Sequence, residues 1–244
     1  MAAIASRICA LEDTLAFVQR ELSALKLLKT TGNGGVAMAM DTTRRLFCFW
    51  DTETNGLGKT DALRIIQLGA IMCNDQFEEL GSFNEFISPG REPIDQGATA
   101  VNGISETFAK THPMFDEVGP RFHGWIDSFE SDDKLIHFIA HNGKRFDTRI
   151  LYFEHARHRL VMPNNWCFTD SLQIFRDLYP DYKSYKLGKL YSGEFGEEIP
   201  DAHTALADAE AIRRLCTKHD PKMVTDKILK FKESRDAVAK RCTK

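Results

Sequence analysis

No stretch of this chain approaches the roughly 20 consecutive apolar residues that a membrane-crossing helix needs. Glu12 and Asp13 stand where a secretory leader would carry its uninterrupted apolar segment. The expectation is an intracellular protein, nuclear or cytoplasmic, with no membrane partner. An excess of charge of one sign is also missing. Lys and Arg number 32 against 35 Asp and Glu, for a net charge of −3 and a pI near 6.3. Such a chain lacks the global basicity of a protein that coats nucleic acid, so any attraction to phosphates has to be local. Paired cysteines are absent too. Cys9, Cys48, Cys73, Cys167, Cys216 and Cys242 show neither a CxxC pair nor zinc-ligand spacing, and two of them lie in apolar, strand-like runs. They read as reduced thiols.

What is present is an ordinary globular composition, 43% hydrophobic and 27% charged over 244 residues, enough to bury one sizeable core. Three parts can be separated. Residues 1–43 hold a helical pattern over 1–29, with Ile8, Leu11, Leu15, Val18, Leu22 and Leu25 alternating by three and four, followed by the linker TTGNGG (Thr30 to Gly35). That heptad seam is short for an independent coiled coil, and a homodimer contact, docking on the domain's own surface and a disordered tail all remain open. Residues 44–220 form the main domain. Residues 221–244 form a basic helix or tail with eight Lys or Arg against three acids and with Val224, Ile228, Phe231 and Val238 on one helical face. It reads as a nucleic-acid arm or as a solvated amphipathic helix.

Within the main domain, 44–51, 64–73 and 76–88 read as strands, the last two joined by a tight Asn74-Asp75 turn into an antiparallel meander. Helical patterns near 95–101 and 114–129 follow, then a strand at 134–140, a helix at 147–159, a strand near 166–169, and helices from 170, 184 and 203. This is a mixed α/β order built on five strands.

Chemistry concentrates in three short segments. The apolar run LFCFW ends in Asp51-Thr52-Glu53-Thr54, and residues i and i+2 of a strand face the same side, so both acids point into one site. Asp147 opens a helical pattern after the loop HNGKRF, where the helix dipole favours a negative charge. His203 and Asp208 are five apart, about 140° around a helix, so they can flank one pocket from different angles. Each piece alone has a plain explanation: a solvated strand end, a helix-start residue, a helix-surface acid. Taken together, four carboxylates in one pocket repel strongly and persist only if cations or protons neutralise them. Two Mg²⁺ ions, with Mn²⁺ able to substitute, suit such hard oxygen donors and can clamp both oxygens of an in-line displacement at phosphorus. An imidazole titrating near neutrality suits a base that takes a proton from the attacking water.

This set resembles the DEDDh 3′-to-5′ exonucleases, the DnaQ-like branch of the ribonuclease H-like fold, with motif wording nearest the three-prime repair exonucleases. Asp51, Glu53, Thr54, Gly56 and Leu57 meet the first motif, His141, Asn142 and Asp147 the second, and His203 and Asp208 the third. IIQLGAI (Ile65 to Ile71), AVNGIS (Ala100 to Ser105) and SYKLGKL (Ser184 to Leu190) are similar to the family's framework segments. The resemblance implies a five-stranded mixed sheet, a three-strand meander plus two parallel strands, flanked by helices. It implies that Asp51 bridges both ions, that Glu53 and Asp208 complete the site of the water-activating ion, that Asp147 helps hold the second, and that His203 is the base. It further implies that Leu57 packs on the terminal base, that amides near Thr52 to Thr54 hold the 3′-hydroxyl, and that Asn142 contacts the scissile phosphate region or orients its loop. An ordinary turn role stays open for Leu57 and Asn142. The implied activity is release of nucleoside 5′-monophosphates from nucleic-acid 3′ ends. DNA, single-stranded or frayed, is favoured over RNA, and an inactive binding module is the alternative from another class. Candidate phosphate contacts are Lys59, Arg64, Lys144, Arg145, Arg149, Lys183, Lys186 and Lys189.

Overall fold

A computed structural model describes residues 45–129 and 135–243. The heptad seam, the TTGNGG linker and Cys9 lie outside the described residues. Three strands open the domain, β1 (Leu46–Thr54), β2 (Ile65–Cys73) and β3 (Glu79–Phe86). Helices α1 (Gln96–Asn102), α2 (Glu106–Ala109) and α3 (Phe115–Asp127) follow. Then come β4 (Ile136–Ala140), α4 (Asp147–Arg157), β5 (Trp166–Asp170) and α5 (Ser171–Leu178). The chain finishes with α6 (Leu187–Phe195), α7 (Ala205–Thr217), α8 (Pro221–Phe231), β6 (Glu233–Ser234) and α9 (Arg235–Cys242).

The strands form one mixed sheet in the order β3-β2-β1-β4-β5-β6. The meander is antiparallel as expected, and β1, β4 and β5 run parallel. Two details depart from the sequence reading. A sixth strand of two residues pairs antiparallel with β5 at Cys167 and Phe168, too short to give a periodic signal. The β2–β3 connection is not a two-residue turn. It spans residues 74–78, with Phe77 at φ 59 and the Asn74 side chain accepting from the amides of Gln76 and Glu78. The buried Phe77 ring, edge-on to Phe47 and Phe49, anchors that longer loop in the core.

β1 is covered on both faces, and its alternation sorts the helices. Cys48 and Trp50 pack in one cluster with Phe122, Ile150 and Leu151 of α3 and α4. Phe47 and Phe49 pack in the other with Ile174, Leu190, Ile212 and Leu215 of α5, α6 and α7. Burying both faces makes β1 a near-continuous apolar run up to its final acids.

Residues 221–243 are neither a solvated helix nor a free arm. Val224 and Ile228 are buried in the second cluster and Val238 in the first, so the segment crosses the sheet edge and covers both sides. The expected single apolar face is divided between two helices because β6 interrupts it. Cys48, Cys73, Cys167 and Cys216 are buried free thiols. Among the described residues no helix is long and apolar enough to cross a membrane.

Candidate active site

The strand alternation that sorts the helices also distributes the acids. Asp51 and Glu53 continue the face of Phe47 and Phe49, toward α7, while Thr52 continues the face of Trp50, toward α4. β1 runs on to Thr54, so the acidic pair lies inside the strand rather than beyond an end at residue 51.

Asp51 pairs in register with Gly69 of β2. A Cβ on Gly69 would lie 2.3 Å from the Leu206 nitrogen and 2.4 Å from the Ala205 carbonyl carbon. The first turn of α7 therefore rests directly on the sheet beside Asp51. The Ala205 amide donates to Gln67 at 3.2 Å, which fixes the contact further. Asp208, in that first turn, is carried to the acidic pair, and carboxylate oxygens of Asp51, Glu53 and Asp208 all lie within 4.8 Å of one another.

Asp147 reaches the site from the other face. It is 3% exposed, and one of its oxygens accepts from the Thr52 hydroxyl at 2.7 Å and the Thr52 amide at 3.2 Å. This corrects the expectation for Thr52: its amide and its hydroxyl both donate to Asp147, so the amide is not free to hold a 3′-hydroxyl. Thr54 is likewise buried, with its hydroxyl donating to the Gly56 carbonyl at 2.8 Å, so it shapes the turn.

The electrostatics follow from burial and crowding. Desolvation first, then the charges of Asp147, Asp208 and Glu53, drive the Asp51 carboxyl well above the usual carboxylate range. Burial pushes Glu53 up to about 8, although a 3.3 Å hydrogen bond from Asn102 works against it. Burial raises Asp147 to about 6, with the Thr52 donors opposing. Asp208 is raised by burial and moderated by His203, through its charge and its backbone N–H. A pocket that pulls four carboxyls toward protonation is one that cations would relieve. Three converging carboxylates with a fourth beside them are the hard oxygen donors that Mg²⁺ or Mn²⁺ takes.

His203 sits differently from the helical placement assumed in its spacing. It precedes α7 on a turn, at φ 65, and is exposed. Its peptide N–H holds Asp208 while its imidazole borders a groove of about 320 Å³ lined also by Lys186, Lys189, Ile199 and Asp208.

Leu57 is 82% exposed at the head of a hydrogen-bonded loop. Asn55 braces that loop by donating to the Pro93 carbonyl at 2.9 Å and accepting from the Arg64 amide at 2.7 Å. Gly56 lets Asp95 approach where a Cβ would stand 2.3 Å from a carboxylate oxygen. Asn142 is exposed in the left-handed region, φ 57, and its carbonyl accepts from the Arg145 amide, so it turns the loop that delivers Asp147. His141 donates from Nε2 to the Tyr185 carbonyl at 2.7 Å, which leaves Nδ1 to accept from the Ser171 hydroxyl at 3.0 Å. It ties the start of α5 to the SYKLGKL segment.

Three contributors escaped sequence reasoning. Asn102, which donates to Glu53, lies inside the AVNGIS segment, where the resemblance marks framework only. Asp170 is buried and accepts from the Lys144 amide at 3.3 Å while capping α5. Gly69 lies within IIQLGAI, and only the helix resting on it explains the glycine. The candidate phosphate contacts divide: Arg64 pairs with Glu92, Lys144 with Glu233, and Arg149 bonds to Thr60. Lys59, Arg145, Lys183, Lys186 and Lys189 are exposed.

A family model described as "Exonuclease" (RNase_T) matches residues 48–216, a span that contains all five motif residues. The chain belongs to the RNase_T exonuclease family, the DEDDh 3′-to-5′ exonucleases. Among its relatives, the PolC-type DNA polymerase III of Caldanaerobacter subterraneus is 31% identical over 173 residues, 70% of this chain and 11% of that protein. A DNA polymerase III subunit epsilon-like protein of Rhodobacter capsulatus is 31% identical over 75% of this chain and 26% of its own length. The DNA polymerase III subunit epsilon of Buchnera aphidicola is 27% identical over 75% of this chain and 78% of its own. The chain thus corresponds to a minor part of the first two. Solved structures of exonuclease I, one of them the zinc-bound form of the E. coli enzyme with single-stranded DNA, share the fold at TM-scores of 0.63 and 0.64. Both are 21% identical, covering 75% of this exonuclease-family chain and 43% and 42% of theirs.

Proposed function

We propose that this chain is a two-metal 3′-to-5′ exonuclease that releases nucleoside 5′-monophosphates from DNA, acting on single-stranded or frayed 3′ ends. The observation that carries this reading is the convergence of Asp51, Glu53 and Asp208 within 4.8 Å, with Asp147 joined to the same strand through Thr52. Asp51, Glu53, Asp147 and Asp208 would hold two Mg²⁺ ions, with Mn²⁺ able to replace them. Bound there, the ions supply Lewis acidity at the scissile phosphate and at the attacking water.

The protein's own groups do the rest. His203, exposed at the mouth with its imidazole free to turn, accepts the proton of the attacking water, and the groove beside it gives that proton a path to solvent. Leu57, apolar and uncovered, offers a platform to the last base once it unstacks. That requirement for unstacking favours single strands and frayed ends, since an unpaired base costs least to move. Asn142, exposed on the loop that delivers Asp147, is assigned to the scissile phosphate region. The low net charge leaves phosphate attraction to exposed lysines such as Lys186 and Lys189, which line the groove that ends at Asp208. The relatives, DNA polymerase III subunits and an exonuclease I bound to single-stranded DNA, support DNA over RNA.

The test is digestion of 5′-labelled DNA and RNA oligonucleotides of one sequence, with Mg²⁺ or with EDTA. A ladder shortening from the 3′ end of DNA, abolished by EDTA, is the expected result. Unchanged length with retained binding would overturn it in favour of a binding module, and faster loss of the RNA would reassign the substrate.

A further inference from the structure

The C-terminal segment packs onto the domain rather than extending from it as an arm. Two of its charges, Glu233 and Arg241, turn onto the loop that delivers Asp147. Glu233, in β6, is paired through one oxygen with the Lys144 ammonium and through the other, at 3.0 Å, with Arg241 of α9. Arg241 also donates from Nη1 to the Lys144 carbonyl. Lys144, Glu233 and Arg241 therefore form a closed ring. The contacts with Lys144 and Arg241 more than offset the effect of burial and hold the Glu233 carboxyl below its usual range, so the ring is charged at neutral pH.

The ring acts on a backbone position three residues before Asp147. Asp170 holds the Lys144 N–H at 3.3 Å and Arg241 holds its C=O, so this peptide is gripped from both sides. The next bonds run straight into the catalytic helix: the Gly143 carbonyl accepts from Phe146 at 3.3 Å and from Thr148 at 3.0 Å. A second link leaves the ring in the opposite direction. Arg149 donates to the Arg241 carbonyl at 3.4 Å and to Thr60 at 3.1 Å, in the loop that carries Leu57. Val238, fully buried in the cluster of Trp50, Ile150 and Trp166, fixes α9 in place so that the ring has a rigid base.

We propose that Arg241 and Glu233 are positioning residues for the Asp147 side of the metal centre, holding the second-motif loop through Lys144. This rests on the two-metal reading above. Outer-shell groups that orient a carboxylate ligand change metal affinity or activity by roughly 10- to 100-fold when removed. A group that merely contacted phosphate would instead weaken strand binding and lessen its salt dependence.

The experiment compares R241A, E233Q and R241K with the full wild-type chain. The readouts are Mn²⁺ titration by calorimetry without nucleic acid, turnover and KM on a single-stranded DNA oligonucleotide at two salt concentrations, and the melting temperature. R241A is expected to weaken the Mn²⁺ dissociation constant by about 10-fold or more and to lower turnover at limiting Mg²⁺ to a similar degree, with KM for the oligonucleotide unchanged. R241K, which keeps the charge but has one nitrogen in place of the guanidinium fork, should recover part of the loss. E233Q keeps the side-chain shape and repeats the comparison at a melting temperature close to wild type. Wild-type Mn²⁺ affinity and turnover in both R241A and E233Q would overturn the proposal, as would a raised, less salt-sensitive KM with normal turnover. If the wild-type chain itself neither binds Mn²⁺ nor shortens the oligonucleotide, the exonuclease reading fails instead.

Discussion

On one wall of the cleft Asp147 is buried, takes two hydrogen bonds from Thr52, and follows a loop gripped at Lys144 from both sides. On the other, His203 stands exposed on a left-handed turn, and among the described residues its imidazole has no hydrogen-bond partner. The difference matches two physical duties. A metal ligand is useful only while its oxygens stay within a few tenths of an ångström of one geometry, so packing and hydrogen bonds restrict it. A proton carrier has to meet solvent and turn between donor and acceptor, so it is left free. The backbone of the His203 turn is nevertheless put to use, because its N–H steadies Asp208.

That contrast can be broken from either side. The largest effect is expected for His203→Ala, which should cut turnover about 10²- to 10⁴-fold while Mn²⁺ affinity and melting temperature stay near wild-type values, since the side chain is exposed. A lowered melting temperature would show that the free wall is structural after all. Thr52→Val should act on both readouts. Loss of the buried hydroxyl donor is expected to destabilise the fold by about 1 to 3 kcal/mol and to lower turnover roughly 10- to 100-fold. Because Thr52 holds the Asp147 carboxyl down, its pKa should rise above the present value of about 6, so the lost Mg²⁺ affinity should partly return as pH is raised.

A subtler test follows the protons. Glu53 and Asp147 have folded-state pKa values of about 8 and about 6, both above their values in an unfolded chain. The metal-free fold therefore binds more protons than the unfolded chain, and its stability should fall as pH rises from about 4 through about 8. Divalent cations should displace those protons, so the stabilisation by Mg²⁺ should grow over the same range, measured by thermal denaturation with and without EDTA. A metal-free protein that gains stability across that window would contradict the assigned carboxyl environment. The smallest effect is expected for Leu57→Ala. With the side chain 82% exposed, stability should be unchanged, and KM should rise by about 5-fold, corresponding to about 1 kcal/mol of lost contact with the terminal base.

Much of the site was legible because its chemistry is local. Asp51 and Glu53 share a strand face by the two-residue period, Asp147 opens a helix after an apolar strand, and the motif spacing around His203 and Asp208 carries its own signature. What failed was reasoning that assumed regular geometry where the chain departs from it. The 140° separation of His203 and Asp208 presumed one helix, whereas α7 begins only at Ala205. The amphipathic reading of 221–244 presumed one continuous face, whereas β6 splits it and sends Val224 and Val238 to opposite sides of the sheet. Family resemblance gives the Thr52 amide a 3′-hydroxyl contact, whereas that amide and the Thr52 hydroxyl both donate to Asp147.

Sequence alone determined the identity of the acidic set, the strand-and-helix order that carries it, and the family, because each is written in short-range periodicity and motif spacing. Only the tertiary structure decided which carboxylates meet, that Gly69 admits α7 beside Asp51, that Thr52 serves Asp147, and that Glu233 and Arg241 close on Lys144. Those are contacts between residues some 90 or more positions apart in the chain for Thr52 with Asp147 and for Lys144 with Arg241. Their partners are selected by the packing of elements against a shared sheet, which no local pattern encodes.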